Sequence, residues 1–191
     1  MSDDPRALRS RQRLQDALRV LLTREDLTEI GVAELCREAG VHRTTFYGHY
    51  TTVGDVAADL YASWLDEVGT VSALPGETLA ELAARYADTT VTVLRSVTAE
   101  RRTLRVLLAS ELSLSFRRRL QALFDERCLI AVQLFRERGL DVDFDDELAA
   151  AFVSGGIVGA ILHWAGEDDA DEEAYARAII SHMPPWWPRV A

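Results

Sequence analysis

Along almost the whole chain apolar residues recur at intervals of three and four, and alternating runs joined by hairpin dipeptides are nearly absent. That spacing fits the period of an α-helix and not the two-residue period of a strand. The expected fold is therefore all-α. Leu14, Ala17, Leu18, Leu21 and Leu22 mark a first helix over about residues 6–23, and Val32, Leu35, Cys36 and Ala39 mark a short second one that Gly40 ends. A third short helix is expected at about 43–49 and a fourth at 53–68, bearing Val56, Leu60, Trp64 and Val68. The segment GTVSALPGE, residues 69–77, breaks the pattern and is the best compositional candidate for a boundary between modules. Further helices are expected at about 78–99, 101–110, 116–138, 145–165 and 171–182; the tail MPPWWPRVA cannot extend the last, because proline lacks an amide donor.

The 191 residues are 48% hydrophobic, enough to bury a core. A net charge of −10 argues at first against a nucleic-acid partner, since phosphate attraction wants a basic surface. The charge is unevenly spread, however. Residues 1–50 carry eight arginines and eight acids, whereas residues 51–191 carry 13 arginines and 23 acids. Within the first part, Arg6, Arg9, Arg11, Arg13, Arg19 and Arg24 face Asp16 alone over residues 6–24, so a basic arm precedes a neutral segment. All basic residues are arginines, which suit bidentate phosphate contacts. Cys36 and Cys128 are the only cysteines, and no secretory leader pattern opens the sequence; two buried free thiols in a cytoplasmic protein are expected.

A long helix followed by two short ones that meet at Gly40 and Val41 has the layout of a helix-turn-helix, whose second short helix enters the DNA major groove. At 100° per residue Arg43, Thr44 and Tyr47 share one side of that helix, while Phe46 and Tyr50 turn to the other. Arginine binds guanine or phosphate, threonine approaches a base or its methyl group, and tyrosine and histidine donate to phosphate oxygens. The arginines of the first helix cluster near its N-terminus, where the helix dipole disfavours cations; an external anion explains this placement, and so does a solvated basic arm.

Residues 8–60, with LRVLLTREDLTEIGVAELCREAGVHRTTFYGHYTTVGDVAADL, resemble the DNA-binding domain of TetR-type transcriptional regulators. The resemblance implies an N-terminal helix-turn-helix domain at residues 1–52, with residues 53–191 forming a helical effector-binding and dimerisation domain entered through the fourth helix. It also implies base or phosphate contacts from Arg43 and Thr44, phosphate contacts from Thr45, Tyr47 and His49, and packing by Val41, Phe46 and Tyr50. Arg9 and Arg11 of the basic arm join the expected DNA contacts. Three positions depart from the family pattern. His42 stands where a small capping serine is usual, and either caps the recognition helix less well or itself touches DNA. Gly31 replaces a Ser or Thr at the start of the second helix, and Val53 replaces a common Lys at the start of the fourth.

Residues 148–166, LAAAFVSGGIVGAILHWAG, form the longest uncharged stretch and reach the length of a membrane span. Acidic flanks, four glycines, Ser154 and His163 favour a buried helix of a soluble protein instead. A helix apolar all round must be covered on every side. It is accordingly the expected homodimer interface together with the helix at about 171–182, through Gly155, Gly159, Leu162 and His163; alternatively, the glycines serve internal packing. DVDFDD starts like a calcium loop but has Asp146 where glycine and Phe152 where glutamate is required. Trp64, Tyr86, Phe116 and Phe152 are candidates to line an effector cavity, or plain core aromatics. No catalytic signature is found, and no cofactor or metal is implied. The expectation is a homodimeric regulator, most simply a repressor, that binds a pseudo-palindromic double-stranded operator and is released by a small-molecule effector. The rival is a helical small-molecule-binding or protein-interaction protein that no longer reads DNA.

Overall fold

Helical periodicity is met throughout the computed structural model, which describes residues 5–110, 113–143, 145–168 and 171–189. Among these residues there are nine α-helices and no strand: α1 (Pro5–Leu22), α2 (Val32–Ala39), α3 (Arg43–Tyr47), α4 (Val53–Val68), α5 (Leu79–Ala99), α6 (Arg101–Ala109), α7 (Ser113–Glu137), α8 (Asp146–Gly166) and α9 (Glu172–His182). The break at GEDDAD extends over positions 169 and 170, outside the described residues.

Local chemistry sets the helix ends. Pro5 opens α1, where a missing amide costs nothing. Thr52 and Asp55 bond reciprocally at the start of α4, amide to side chain in both directions, and Thr78 and Glu81 form the same box at α5. Asp145 and Asp171 cap α8 and α9. Gly40, at φ 58°, adopts the left-handed conformation that ends α2. The recognition segment is shorter than its sequence suggests, because Gly48 closes α3 after Tyr47.

The chain divides into two compact units. The first runs to Ala62 and includes Arg102–Arg119; the second comprises Ser63–Arg101 and Leu120–Ala191. In the first, α1 packs on α2 and α2 on α3, burying Leu14, Leu18, Leu35 and Phe46. Segment 69–77, the boundary suggested by composition, lies inside the second unit. Arg85 donates to Ser72 O and to Glu77 there, and Val71 packs on the core, so a proline and a glycine interrupt a helix without separating two bodies.

In the second unit α5 packs on α8 and α9. Its core joins Leu82, Cys128, Phe135, Val153, Met183 and Trp187, the last two from the proline-rich tail folded back onto α5 and α7. By length and composition α8 passes as a membrane span. In the fold its Val153, Val158, Ile161 and Trp164 are buried, and fully buried Ser154 bonds Asp125 and Gln121 of α7. Polar pairing of this kind is what a soluble core requires.

Candidate nucleic-acid interface and cavity

The interface is assembled on Phe46, which is fully buried and places its own helix. Its ring meets Tyr47 edge-on at 5.2 Å and Tyr50 at 6.2 Å. With Phe46 inward, Arg43, Thr44, Thr45 and Tyr47 are all exposed, and Tyr47 keeps 55% of its surface. They offer a guanidinium, two hydroxyls and a phenol on a helix of five residues.

His42 occupies the N-cap of α3 in an extended conformation but makes no side-chain cap bond, and it is exposed. The recognition helix is therefore capped by backbone alone, a weaker cap than a serine side chain gives. Gly31 likewise caps α2 with backbone alone. Val53 is buried, so at that position the side chain serves the core instead of reaching solvent.

His49 and Arg11 are placed differently from the expectation of plain DNA contacts. His49 is half-buried, with Nε2 2.7 Å from Ser10 Oγ of α1, and so ties the end of the recognition segment to α1. Arg11 is half-buried and its Nε lies buried without a hydrogen-bond partner, whereas Arg9 is exposed. Tyr50 is held from below. Its hydroxyl donates to Asp59 at 2.7 Å, and Asp59 also receives Gln15 Nε2 at 3.4 Å and Arg119 Nε at 2.5 Å. Burial first, then the Asp59 hydrogen bond and charge, push the Tyr50 phenol well above its ordinary range, so it remains a donor.

The turn between α2 and α3 favours glycine through its backbone more than through lack of space. A Cβ on Gly40 would stand 2.6 Å from Arg13 Nη2, at a φ that L-residues avoid. Arg13 is the flexible end of an exposed side chain and can swing away, leaving the backbone strain as the main term. Gly40→Ala is thus expected to cost about 1–2 kcal/mol, read as a lower thermal midpoint; an unchanged midpoint would show that the turn relaxes.

Among solved structures the chain is similar to AlkX, a TetR family repressor from Dietzia sp. implicated in biodegradation of n-alkanes, at 14% identity over 92% of this chain and 94% of that one, with a TM-score of 0.66. The architecture follows from this match. The fold is that of a TetR family repressor. The TetR fold also relates the chain to RolR without ligand, at 18% identity over 90% of this chain and 89% of that one with a TM-score of 0.64. RolR in complex with resorcinol matches at 18% identity over 93% and 89%, with a TM-score of 0.59. No protein-family model and no curated protein matches the sequence.

In the second unit of this TetR fold a small cavity, partly open to solvent, lies among α5, α7, α8, α9 and the tail. Tyr86 lines it. Phe116 is buried in the first unit and Trp64, in α4, is not part of the wall. Phe152 is corrected outright: it is 70% exposed on α8, away from the cavity. The lining that sequence reading missed is largely aliphatic, including Val93, Leu94, Ile157 and Ile161, with Phe124 and Trp187; such residues look like any other core. Burial pushes the Cys128 thiol in this wall up to about 12, which makes it a packing group at neutral pH. No group of three metal-ligating side chains occurs among the described residues.

Gly155 and Gly159 are exposed, with nothing within 4 Å of a Cβ built on either. Internal packing therefore does not demand glycine there. His163 is exposed beside them, stacked on Tyr175 and 3.1 Å from its hydroxyl through Nδ1, and Leu162 is half-buried.

Proposed function

We propose that the chain is a transcriptional regulator, a repressor in its simplest form, which binds a pseudo-palindromic double-stranded operator as a homodimer and is released by a small molecule. The observation that carries the reading is the face of α3, where Phe46 is buried while Arg43, Thr44, Thr45 and Tyr47 project together. Four donor-bearing side chains on a short helix braced by α2 suit a major groove. Residues 8–60 bind DNA in this proposal, with exposed Arg9 and His42 at its edge, and residues 78–183 sense the effector. RolR has been solved in complex with resorcinol, a small aromatic diol, and AlkX is implicated in biodegradation of n-alkanes, which is in keeping with a small-molecule effector here.

Pairing of two copies is supported by α8, whose exposed side carries Leu148, Phe152, Gly155 and Gly159 beside exposed Ala174 and Ala178 of α9. Two large apolar side chains next to residues without bulk form a surface that a second helix pair covers closely. Isologous contact through Gly155, Gly159, Leu162 and His163 then presents two recognition helices to successive half-sites.

The test is a mobility-shift assay at low salt with the fragment upstream of the protein's own gene and with genomic fragments. Specific shifts are expected without added ligand. Tyr47→Phe removes one phosphate donor and should weaken binding on all sequences about equally, whereas Arg43→Ala should lose about tenfold or more and relax base preference. Equal loss on every operator for Arg43→Ala assigns it to phosphate, and no shift with any fragment sinks the regulator reading.

A further inference from the structure

The chemistry of the cavity wall limits what the second unit can sense. Aliphatic and aromatic side chains make up most of it, from Val93 and Leu94 on α5 to Ile157 and Ile161 on α8. Among the described residues, Arg127 is the only formally charged one in the wall. Its guanidinium is committed, bonded through Nε to Asp66 and through Nη2 to Thr70. An adjoining outer recess shares Gly69, Tyr86 and Arg127 with the cavity and adds Asp66, Thr70 and Glu126, so two carboxylates stand there against one guanidinium. A carboxylate ligand would leave water for a wall with no uncommitted positive charge, and would pass acids on the way.

Tyr86 stands where the apolar chamber meets that polar recess. Its ring is fixed edge-on by Phe135 at 5.3 Å and Trp187 at 6.0 Å. Its hydroxyl has no hydrogen-bond partner among the described residues, and neighbouring Thr90 spends its own hydrogen on Tyr86 O at 2.9 Å. A hydroxyl at this junction with no protein partner has its hydrogen and lone pairs available to a bound ligand's oxygen. Burial pushes the phenol up to about 12, so the group presented to a ligand is a neutral O–H.

We propose that this cavity takes an uncharged, largely apolar molecule bearing one hydroxyl or carbonyl oxygen, and that the Tyr86 hydroxyl selects it by bonding that oxygen. The inference rests on the reading of the second unit as a sensor and names the chemical class it senses. The apolar body fills the space between α5, α7 and α8, and the oxygen points toward the Arg127 side. Selection then comes from one directional bond inside an otherwise undirected apolar site.

Calorimetric titration of the full chain without DNA at pH 7 tests this, using 2-naphthol and 2-naphthoate, which share a ring system and differ in charge. 2-Naphthol is expected to bind, with 2-naphthoate at least about tenfold weaker. Tyr86→Phe keeps both ring contacts and should weaken 2-naphthol about tenfold. Naphthoate binding as tightly as naphthol overturns the proposal, as does absence of naphthol binding up to ~1 mM. Unchanged naphthol affinity in a folded Tyr86→Phe chain overturns it too, and the naphthol–naphthoate comparison stands on the unsubstituted protein should that variant misfold. Because no DNA is present, a failed titration leaves the mobility shift untouched, and a missing shift leaves the titration untouched.

Discussion

Trp164→Ala is expected to cost the second unit about 3–5 kcal/mol, the range for truncating a large buried aromatic. The indole is fully buried and its Nε1 donates to both Leu94 O and Thr98 Oγ1 at 3.1 Å, joining α8 to α5. Tyr175 packs on it with ring centroids 4.7 Å apart, and the Arg101 guanidinium lies 5.5 Å from the ring centroid. Arg101 is held by Asp168 O through Nη1 at 2.8 Å, so removing the ring costs it the cation–π contact and not its hydrogen bond. Chemical denaturation measures the loss. Trp164→Phe should recover part of it by filling space, though not the two hydrogen bonds, and a loss under about 1 kcal/mol for the alanine variant would show that α8 collapses into the gap.

Asp59→Ala is the second large effect, expected at about 2–3 kcal/mol in the first unit, together with weakened DNA binding. Removing this carboxylate strips the Tyr50 hydroxyl of its acceptor and Gln15 of its partner. Arg119 contributes less, since its side chain is 47% exposed and returns to water. Asp59→Asn separates bond from charge: the amide oxygen still accepts from Tyr50, so most of the stability should return. If asparagine is as damaging as alanine in denaturation, the charge matters more than the hydrogen bond.

Most helices were legible in the sequence to within a residue or two, because apolar spacing fixes where they run, Pro5, Thr78 and Asp145 open three of them and Gly40 ends another. The division of α3 into a packed and a projecting side was legible for the same reason: five consecutive residues on a known period leave little freedom. What was hidden depends on distance along the chain. That His49 reaches Ser10 is decided by a partner tens of residues away along the chain, and nothing in the local pattern says that Arg11 Nε is buried. Phe152 was misplaced because α8 is apolar on all sides and so carries no periodic signal of which side faces the core. Cavity aliphatics such as Ile157 and Ile161 differ from core residues only by what is missing next to them, which no residue type records.

The tail that folds back onto α5 and α7 gives the gene an unusual vulnerability. Met183 and Trp187 wall the cavity yet follow the last helix. A late nonsense mutation just after Ser181 would therefore spare every residue of the first unit while deleting part of the cavity wall. Under the proposed function, a strain carrying it is expected to grow as though no inducer were present, with the regulated genes held shut.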